Sequence, residues 1–248
     1  MRQVNEINHA LLSQGSEIKN STLSDFLMWA YSDLCDDVIK GIFAEWMVAK
    51  LLGIPTTRRY EWSNSDLFST RGTKIEVKAS SYWQSWKAIS PDGTAKDLAK
   101  YPPQPDAKIR FSGLMAKDTI DHHMEKQGRL KSDLYVFCFQ NERDYEKWNA
   151  MNLSQWEFYL VPAKSLATKS ISLQWLKANN FGPLNPSQLS QQFNEYENTN
   201  RLLTKEETDG LHEELGKDFL NAATKKQKDA VVKKQLEKMN TLMRKKLT

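Results

Sequence analysis

The alternation of hydrophobic and polar positions predicts two buried strands in the second half of the chain. Residues 134–139 form an almost continuous apolar run, as expected for a strand that is covered on both faces. Residues 156–161 form another apolar run, which Pro162 ends. Shorter strands are predicted in four further runs, at residues 58–62, 66–69, 73–80 and 108–112.

Capping residues and periodic apolar positions predict two helices ahead of these strands. Ser24 or Asp25 is expected to cap the first helix. The second helix is expected to begin at residues 36–37 and to end at Gly53. Later helices are predicted at residues 163–168, at 172–179 and in several segments from 187 onward.

The order of these elements predicts a mixed α/β sheet within residues 22–180. We therefore expect an α/β domain over residues 1–183 and a helical C-terminal extension over residues 184–248. Residues 87–107 are rich in proline and are predicted to form a long surface loop. Residues 114–131 have no clear period, and a helix is one interpretation of them.

A hairpin is predicted around residues 70–72, where the chain reads Thr-Arg-Gly. If Gly72 adopts the left-handed conformation of a three-residue loop, Asp66 lies directly opposite Glu76. Lys78 is two residues further along the strand and therefore shares a face with Glu76. The opposite face then carries Ile75, Val77 and Ala79, which are expected to point into a core.

Two carboxylates at opposed positions point to a metal site. Opposed side chains have Cβ atoms only about 5 Å apart, and like charges at that distance destabilise a sheet. A divalent cation would relieve the repulsion, and carboxylate oxygens suit Mg²⁺ or Mn²⁺. The ammonium group of Lys78 could orient a water molecule for metal-assisted phosphodiester hydrolysis. The other interpretation is a solvated sheet face, because acid-x-Lys also occurs at residues 17–19 and 106–108.

Glu45 lies in the middle of the second predicted helix. Residues 41–54 carry only two charged side chains, Glu45 and Lys50, so this helix is expected to be buried on nearly all sides. A carboxylate in such a place is costly unless it is paired or binds a metal. Glu45 is therefore a candidate metal ligand, and an ion pair with Lys50 or Lys78 is the alternative.

These acidic residues and the lysine, on a helix and two successive strands, resemble the signature of the PD-(D/E)xK nuclease superfamily. The segments that carry the resemblance are Gly41-Ile42-Phe43-Ala44-Glu45, Ser65-Asp66-Leu67 and Lys74-Ile75-Glu76-Val77-Lys78-Ala79-Ser80. The resemblance covers roughly residues 25–165. Residues 78–86 and 156–159 are also similar to a group of bacterial members of the superfamily. Ser65 stands where the superfamily motif has proline.

The resemblance implies a fold and a role for each residue. The fold would be α/β, a restriction-endonuclease-like mixed β-sheet core flanked by helices, with an α-helical C-terminal extension. Asp66 and Glu76 would bind Mg²⁺ (or Mn²⁺) together with the backbone carbonyl of Val77. Lys78 would position the attacking water, and Glu45 would complete the metal coordination or bind a second ion.

The resemblance also implies contacts to nucleic acid. Gln84 follows Lys78 closely, as a glutamine does in several nuclease branches, and would be a further polar group of the site. Independently of the resemblance, Lys87, Lys108 and Arg110 are candidate phosphate contacts next to the predicted site. Ordinary solvated charges are the alternative interpretation of each.

The function implied is that of a metal-dependent DNA endonuclease, in restriction, phage defence or DNA repair. An endonuclease is favoured because the sequence has no Gly-x-x-x-x-Gly-Lys-Ser/Thr motif of a motor that could feed a strand. One alternative is a non-cleaving nuclease-fold protein that binds DNA or serves in assembly. Another is a structural α/β protein in which the basic tail does the binding.

The charge of the chain is unevenly distributed. The net charge is +4, but residues 217–248 contain ten Lys/Arg and three Asp/Glu and carry +7. The remaining residues are therefore slightly acidic. The tail is predicted to be a helix with a thin apolar stripe, which would dock on the body, pair with a second copy or lie on DNA phosphates.

Composition indicates a cytoplasmic protein. Cys35 and Cys138 lie among apolar neighbours and are expected to be reduced and buried. The chain has no run of about 20 apolar residues and no apolar stretch near its start, so neither a membrane span nor a secretory signal is expected. A homodimer is attractive because cutting both DNA strands usually calls for two active sites.

Overall fold

The computed structural model describes residues 10–13, 16–56, 59, 63, 65–85, 97–115, 119–120, 123–124, 130–200, 213, 230–231 and 234 of the 248-residue chain. In this part of the chain the strands are β1 (Ala10–Ser13), β2 (Ser16–Thr22), β3 (Leu67–Phe68), β4 (Lys74–Ser81), β5 (Arg110–Ser112), β6 (Thr119–Ile120), β7 (His123–Met124), β8 (Leu134–Gln140), β9 (Trp156–Pro162) and β10 (Ser170–Ser172). The α-helices are α1 (Leu23–Tyr31), α2 (Asp37–Leu51), α3 (Leu173–Ala178) and α4 (Pro186–Thr199).

Four of these strands form a mixed sheet in the order β3-β4-β8-β9. β4 runs parallel to β8, whereas the β3–β4 and β8–β9 pairs are antiparallel. Leu67 pairs with Ile75, which is the register predicted from the short loop. Gly72 has the positive φ of 86° that such a loop requires. The mixed α/β architecture predicted from the sequence is therefore confirmed.

β8 lies inside the sheet, and all its side chains are buried. Tyr135 and Phe137 point to one face of the sheet, and Val136 and Cys138 to the other. The first face packs against α3, and the second packs against α2 and α4. The predicted strands at 134–139 and 156–161 are thus confirmed, and burial on both faces explains why the first is continuously apolar.

The caps of the first two helices differ in how well they were predicted. Thr22 caps α1, because its hydroxyl accepts the Asp25 amide at 3.1 Å while the Asp25 carboxylate accepts the Thr22 amide at 2.8 Å. The prediction that Ser24 or Asp25 is the cap is therefore wrong, and Asp25 instead completes the capping box. Asp36 caps α2 as predicted, since its carboxylate accepts two amides of the first turn.

α4 packs on the same core as the sheet. Leu189 and Phe193 are buried on the face that α2 also covers. Just before α4, Leu184 exchanges backbone hydrogen bonds with Phe158 of β9. Leu184 and α4 therefore pack directly against the α/β core.

Two helical predictions fail in the described residues. Within residues 114–131, β6 and β7 pair as antiparallel strands, so the helix interpretation is wrong there. β-branched residues such as Thr119 and Ile120 favour strands. Residues 163–168 contain only a short 3₁₀ turn, at Ala163–Ser165. Residues 172–179 do form a helix, α3.

The two cysteines are buried free thiols, as predicted. Burial raises the pKa of Cys35 to about 12 and also raises the pKa of Cys138. Both thiols are therefore protonated at neutral pH and are poor nucleophiles.

Several predicted features lie outside the described residues. These are most of the predicted strand at 58–62, residues 87–96 of the predicted loop and most of the basic tail. Across the residues that the structure describes, no helix combines the length and the apolar character that crossing a membrane requires.

Candidate functional site

The β3–β4 hairpin brings Asp66 to the edge of β4. Asp66 immediately precedes β3, and its Oδ2 accepts a hydrogen bond from the Val77 amide at 2.8 Å. The carboxylate thus accepts a β4 backbone hydrogen bond at the position just before the first residue of β3. The N–H and C=O of a strand residue point to the same edge, so the Val77 carbonyl also faces this edge. Asp66 is thereby fixed beside the strand that carries Glu76 and Lys78.

Glu76 and Lys78 form an ion pair on one face of β4. Lys78 Nζ donates to Glu76 Oε1 at 2.7 Å, and the side chains of Lys78 and Glu76 are 25% and 18% exposed, respectively. The Ser132 hydroxyl lies 3.3 Å from Glu76 Oε2 and 2.9 Å from Ser65 Oγ. The neighbouring strand residues pack into the core on the other face, as predicted; they are Ile75, Val77 and Ala79.

The Asp66 carboxyl group is held in an environment that disfavours its charge. Burial, together with the negative charges of Glu76 and Glu45, raises its pKa from 3.8 to about 7. The Val77 amide and the Lys78 ammonium act in the opposite direction but do not offset the rise. A nearby cation would therefore be attracted strongly to this position.

A small polar cavity separates Asp66 and Glu76 from the start of β8. Its volume is about 130 Å³, and its lining includes Lys131 and Tyr135. The Tyr135 hydroxyl donates to the Leu114 carbonyl at 3.0 Å. Burial, together with the Glu76 charge, raises the pKa of Tyr135 to about 12, so the phenol keeps its proton. The cavity therefore combines two carboxylates with an ammonium group and a neutral phenol.

Glu45 forms an ion pair that was not predicted. Arg59 donates to both carboxylate oxygens, at 2.6 Å from Nε and 2.9 Å from Nη2. Lys50 and Lys78, the two partners expected from the sequence, do not form an ion pair with Glu45, and Lys78 pairs with Glu76 instead. Among the residues that the structure describes, no group of three or more His, Cys, Asp or Glu is close enough to hold a metal ion. Asp66 and Glu76 are adjacent, whereas Glu45 is engaged by Arg59.

α2 is not buried on all sides, contrary to the sequence prediction. Ala44, Met47 and Val48 are buried against the sheet, but Trp46 is 46% exposed. The helix packs against the sheet along one face, and its apolar residues extend beyond that face. The extra apolar surface borders a second cavity that also reaches Asp66.

Gln84 belongs to a buried cluster around Lys40. Lys40 Nζ donates to Gln84 Oε1 at 3.2 Å, to Ser81 Oγ at 3.1 Å and to Asp37 Oδ1 at 2.9 Å. Lys40 is only 2% exposed, and Gln84 is 6% exposed. The cluster joins the start of α2 to the end of β4. The structure thus places Gln84 against Lys40, and its predicted role at the site stays a prediction.

Two of the three candidate phosphate contacts, Lys108 and Arg110, lie in the described part of the chain, and both are exposed. Arg110 is exposed, and its Nη2 donates to Ser170 Oγ at 3.0 Å. This bond links β5 to β10, which pair in a separate two-stranded sheet. Lys87 lies outside the described residues.

Sequence reasoning missed the residues that β8 contributes beside the site. The parallel register places Tyr135 next to Glu76. Ser132 and Lys131 precede it at the same end of the sheet. Aligning the apolar run at 134–139 in parallel with residues 75–80 would have brought these residues to Glu76. The sequence contains no signal for the parallel direction of that pair.

No protein-family model matches the chain, and no curated protein or solved structure shows significant similarity to it.

Proposed function

We propose that the chain is a metal-dependent deoxyribonuclease of the PD-(D/E)xK superfamily, with a restriction-endonuclease-like fold. The observation that supports this most is the placement of the Asp66 carboxylate on the Val77 amide, beside the Glu76–Lys78 pair. A helix that carries Glu45 packs on the same sheet. The order of these residues is the one that the superfamily signature requires.

The residues present suit a hard divalent cation. Asp66, Glu76 and the Val77 carbonyl would hold Mg²⁺ or Mn²⁺ through oxygen ligands. Burial and the neighbouring carboxylates disfavour the Asp66 charge, and a bound cation would compensate it. When bound, the ion would supply Lewis-acid stabilisation of the negative charge that develops on the phosphate.

The remaining side chains have roles that follow from their contacts. Glu76 holds the Lys78 ammonium group at 2.7 Å, and that group would orient the attacking water by hydrogen bonding. Lys131 lines the cavity between the two carboxylates and β8 and would add positive charge beside a phosphate. Hydrolysis of a phosphodiester inside a DNA strand is the reaction that fits these roles.

The experiment that tests the proposal is DNA cleavage by the full chain. Supercoiled plasmid and circular single-stranded DNA are incubated with the protein in Mg²⁺, in Mn²⁺ and in EDTA. We expect cleavage of at least one circular DNA with a divalent cation and none in EDTA.

A matched pair of variants locates the activity. Glu76→Gln removes one of the two carboxylate charges of the site, whereas Glu195→Gln alters an exposed glutamate on α4 that accepts a hydrogen bond from Gln191. We expect Glu76→Gln to abolish cleavage and Glu195→Gln to retain it. The proposal would be contradicted if the wild type cut neither circular DNA in Mg²⁺ or Mn²⁺. It would also be contradicted if the two variants cut DNA at equal rates.

A further inference from the structure

A larger cavity lies on the α2 side of Asp66. It has a volume of about 380 Å³ and is lined mainly by apolar side chains of α2, the end of α1 and nearby segments. Three aromatic side chains line it, from Tyr31, Phe43 and Trp46. Asp66 lines both this aromatic cavity and the polar cavity beside Glu76. The two cavities therefore meet at one carboxylate of the proposed active site.

The aromatic rings are supported by the core. The Phe43 ring centroid lies 6.2 Å from that of Trp156, which is buried, and 5.8 Å from that of Trp46. Lys50 Nζ lies 6.0 Å from the Trp46 ring centroid. The Trp46 ring is thus held at the rim by a neighbouring ring, with a positive charge next to it.

The cavity also has a polar part. Glu45 and Arg59 contribute their bidentate ion pair to the lining, together with Asp66. A nucleobase has two apolar faces and a hydrogen-bonding edge, and this combination of surfaces matches it. The volume is near the lower end of the range of about 300–1,000 Å³ for ligand pockets, which suits a single base with its sugar.

We propose that the aromatic cavity binds an unpaired nucleobase of the nucleic-acid substrate, next to the phosphate at Asp66 and Glu76. This inference rests on the proposed function. A base that is paired and stacked in a duplex cannot enter a concave cavity, so the strand must be single at this position or the base must rotate out of the stack. Stacking on aromatic rings is tolerant of sequence, so the cavity selects an unpaired base and no particular sequence.

The test measures binding in the absence of cleavage. A fluorescent single-stranded DNA oligonucleotide is titrated with the full chain in Ca²⁺ at fixed ionic strength, because phosphate contacts depend on salt. A second oligonucleotide of equal length has abasic nucleotides throughout. We expect the wild type to bind the abasic strand about tenfold more weakly or worse, the scale of one lost stack.

Tryptophan variants assign this difference to the cavity. Trp46→Ala is expected to bind both strands equally, and Trp46→Phe to keep most of the preference for bases. Trp29→Ala is the matched control, since Trp29 is 81% exposed on α1 and does not line the cavity. It is expected to keep the wild-type preference.

Two results would overturn the inference. One is equal binding of the normal and abasic strands by the wild type, and the other is an equal loss of preference in Trp46→Ala and Trp29→Ala. A failure of the proposed function would differ from both, because base-dependent binding would persist while the wild type cut no DNA in Mg²⁺.

Discussion

The Asp66 carboxylate accepts a hydrogen bond from the Val77 amide at 2.8 Å, so a backbone group of β4 orients it. Lys78 is paired instead with Glu76, at 2.7 Å. The two carboxylates of the proposed site therefore differ in their partners. Glu76 is matched by an ammonium group, and Asp66 keeps a charge that its surroundings disfavour.

Removing the Asp66 charge is expected to stabilise the metal-free protein at high pH. Burial raises the pKa of Asp66 from 3.8 to about 7, so its contribution to stability is complete below pH 3.8 and is lost as the pH rises through 7. Asp66→Asn should therefore be more stable than the wild type at pH 8, by about 2–4 kcal/mol, since one pKa unit is worth about 1.4 kcal/mol. Urea unfolding in EDTA from pH 4 to 8 measures the difference.

The control for this prediction is an aspartate with the opposite shift. The Lys147 side chain hydrogen-bonds to Asp144 and lowers its pKa, so Asp144→Asn should show no gain in stability at pH 8. A stability difference between Asp66→Asn and the wild type that does not grow with pH would contradict the assigned electrostatics.

Glu197 is expected to hold the hairpin that carries the site. Its Oε1 accepts hydrogen bonds from the hydroxyl groups of Ser69 and, at 2.8 Å, Thr73, and the residue is 7% exposed. Glu197→Ala would leave these hydroxyl groups without that acceptor and should lower the free energy of unfolding by about 1–3 kcal/mol. Urea unfolding is compared with that of Glu195→Ala, an exposed change on the same helix. Equal stability of the two variants would contradict the role.

Gln84 is expected to stabilise the folded protein by accepting a hydrogen bond from the buried Lys40 ammonium group. Gln84→Ala removes one acceptor from a buried ammonium group and should lower the free energy of unfolding by about 1–3 kcal/mol. Gln191→Ala is the matched control, because Gln191 is exposed and donates to Glu195 at 2.9 Å. Urea unfolding that shows no larger loss for Gln84→Ala than for Gln191→Ala would show that the cluster adds little to stability.

Local rules predicted the hairpin at the centre of the site. A three-residue loop with glycine in the left-handed conformation determines the register, and Leu67 pairs with Ile75 as expected. Alternation then assigned Ile75 and Val77 to the core and Glu76 to the opposite face. These conclusions depend on residues that are near each other in sequence.

Contacts between distant segments could not be predicted in this way. Arg59 reaches Glu45 across 14 residues, and neither periodicity nor spacing relates the two positions. Tyr135 lies beside Glu76 because β8 pairs in parallel with β4, a direction that the apolar run alone does not specify. The exposure of Trp46 was also missed, since an apolar helix surface can face a cavity as well as a core.

The rate of single-turnover DNA cleavage by Lys78→Met tests the central claim most directly. The control is Lys147→Met, because Lys147 also pairs with a carboxylate, that of Asp144 at 2.9 Å, but is 73% exposed at a different part of the surface. With saturating Mg²⁺, Lys78→Met should cleave at least about 100-fold more slowly than the wild type, and Lys147→Met at the wild-type rate. Cleavage by Lys78→Met at the wild-type rate would contradict the assignment of the active site.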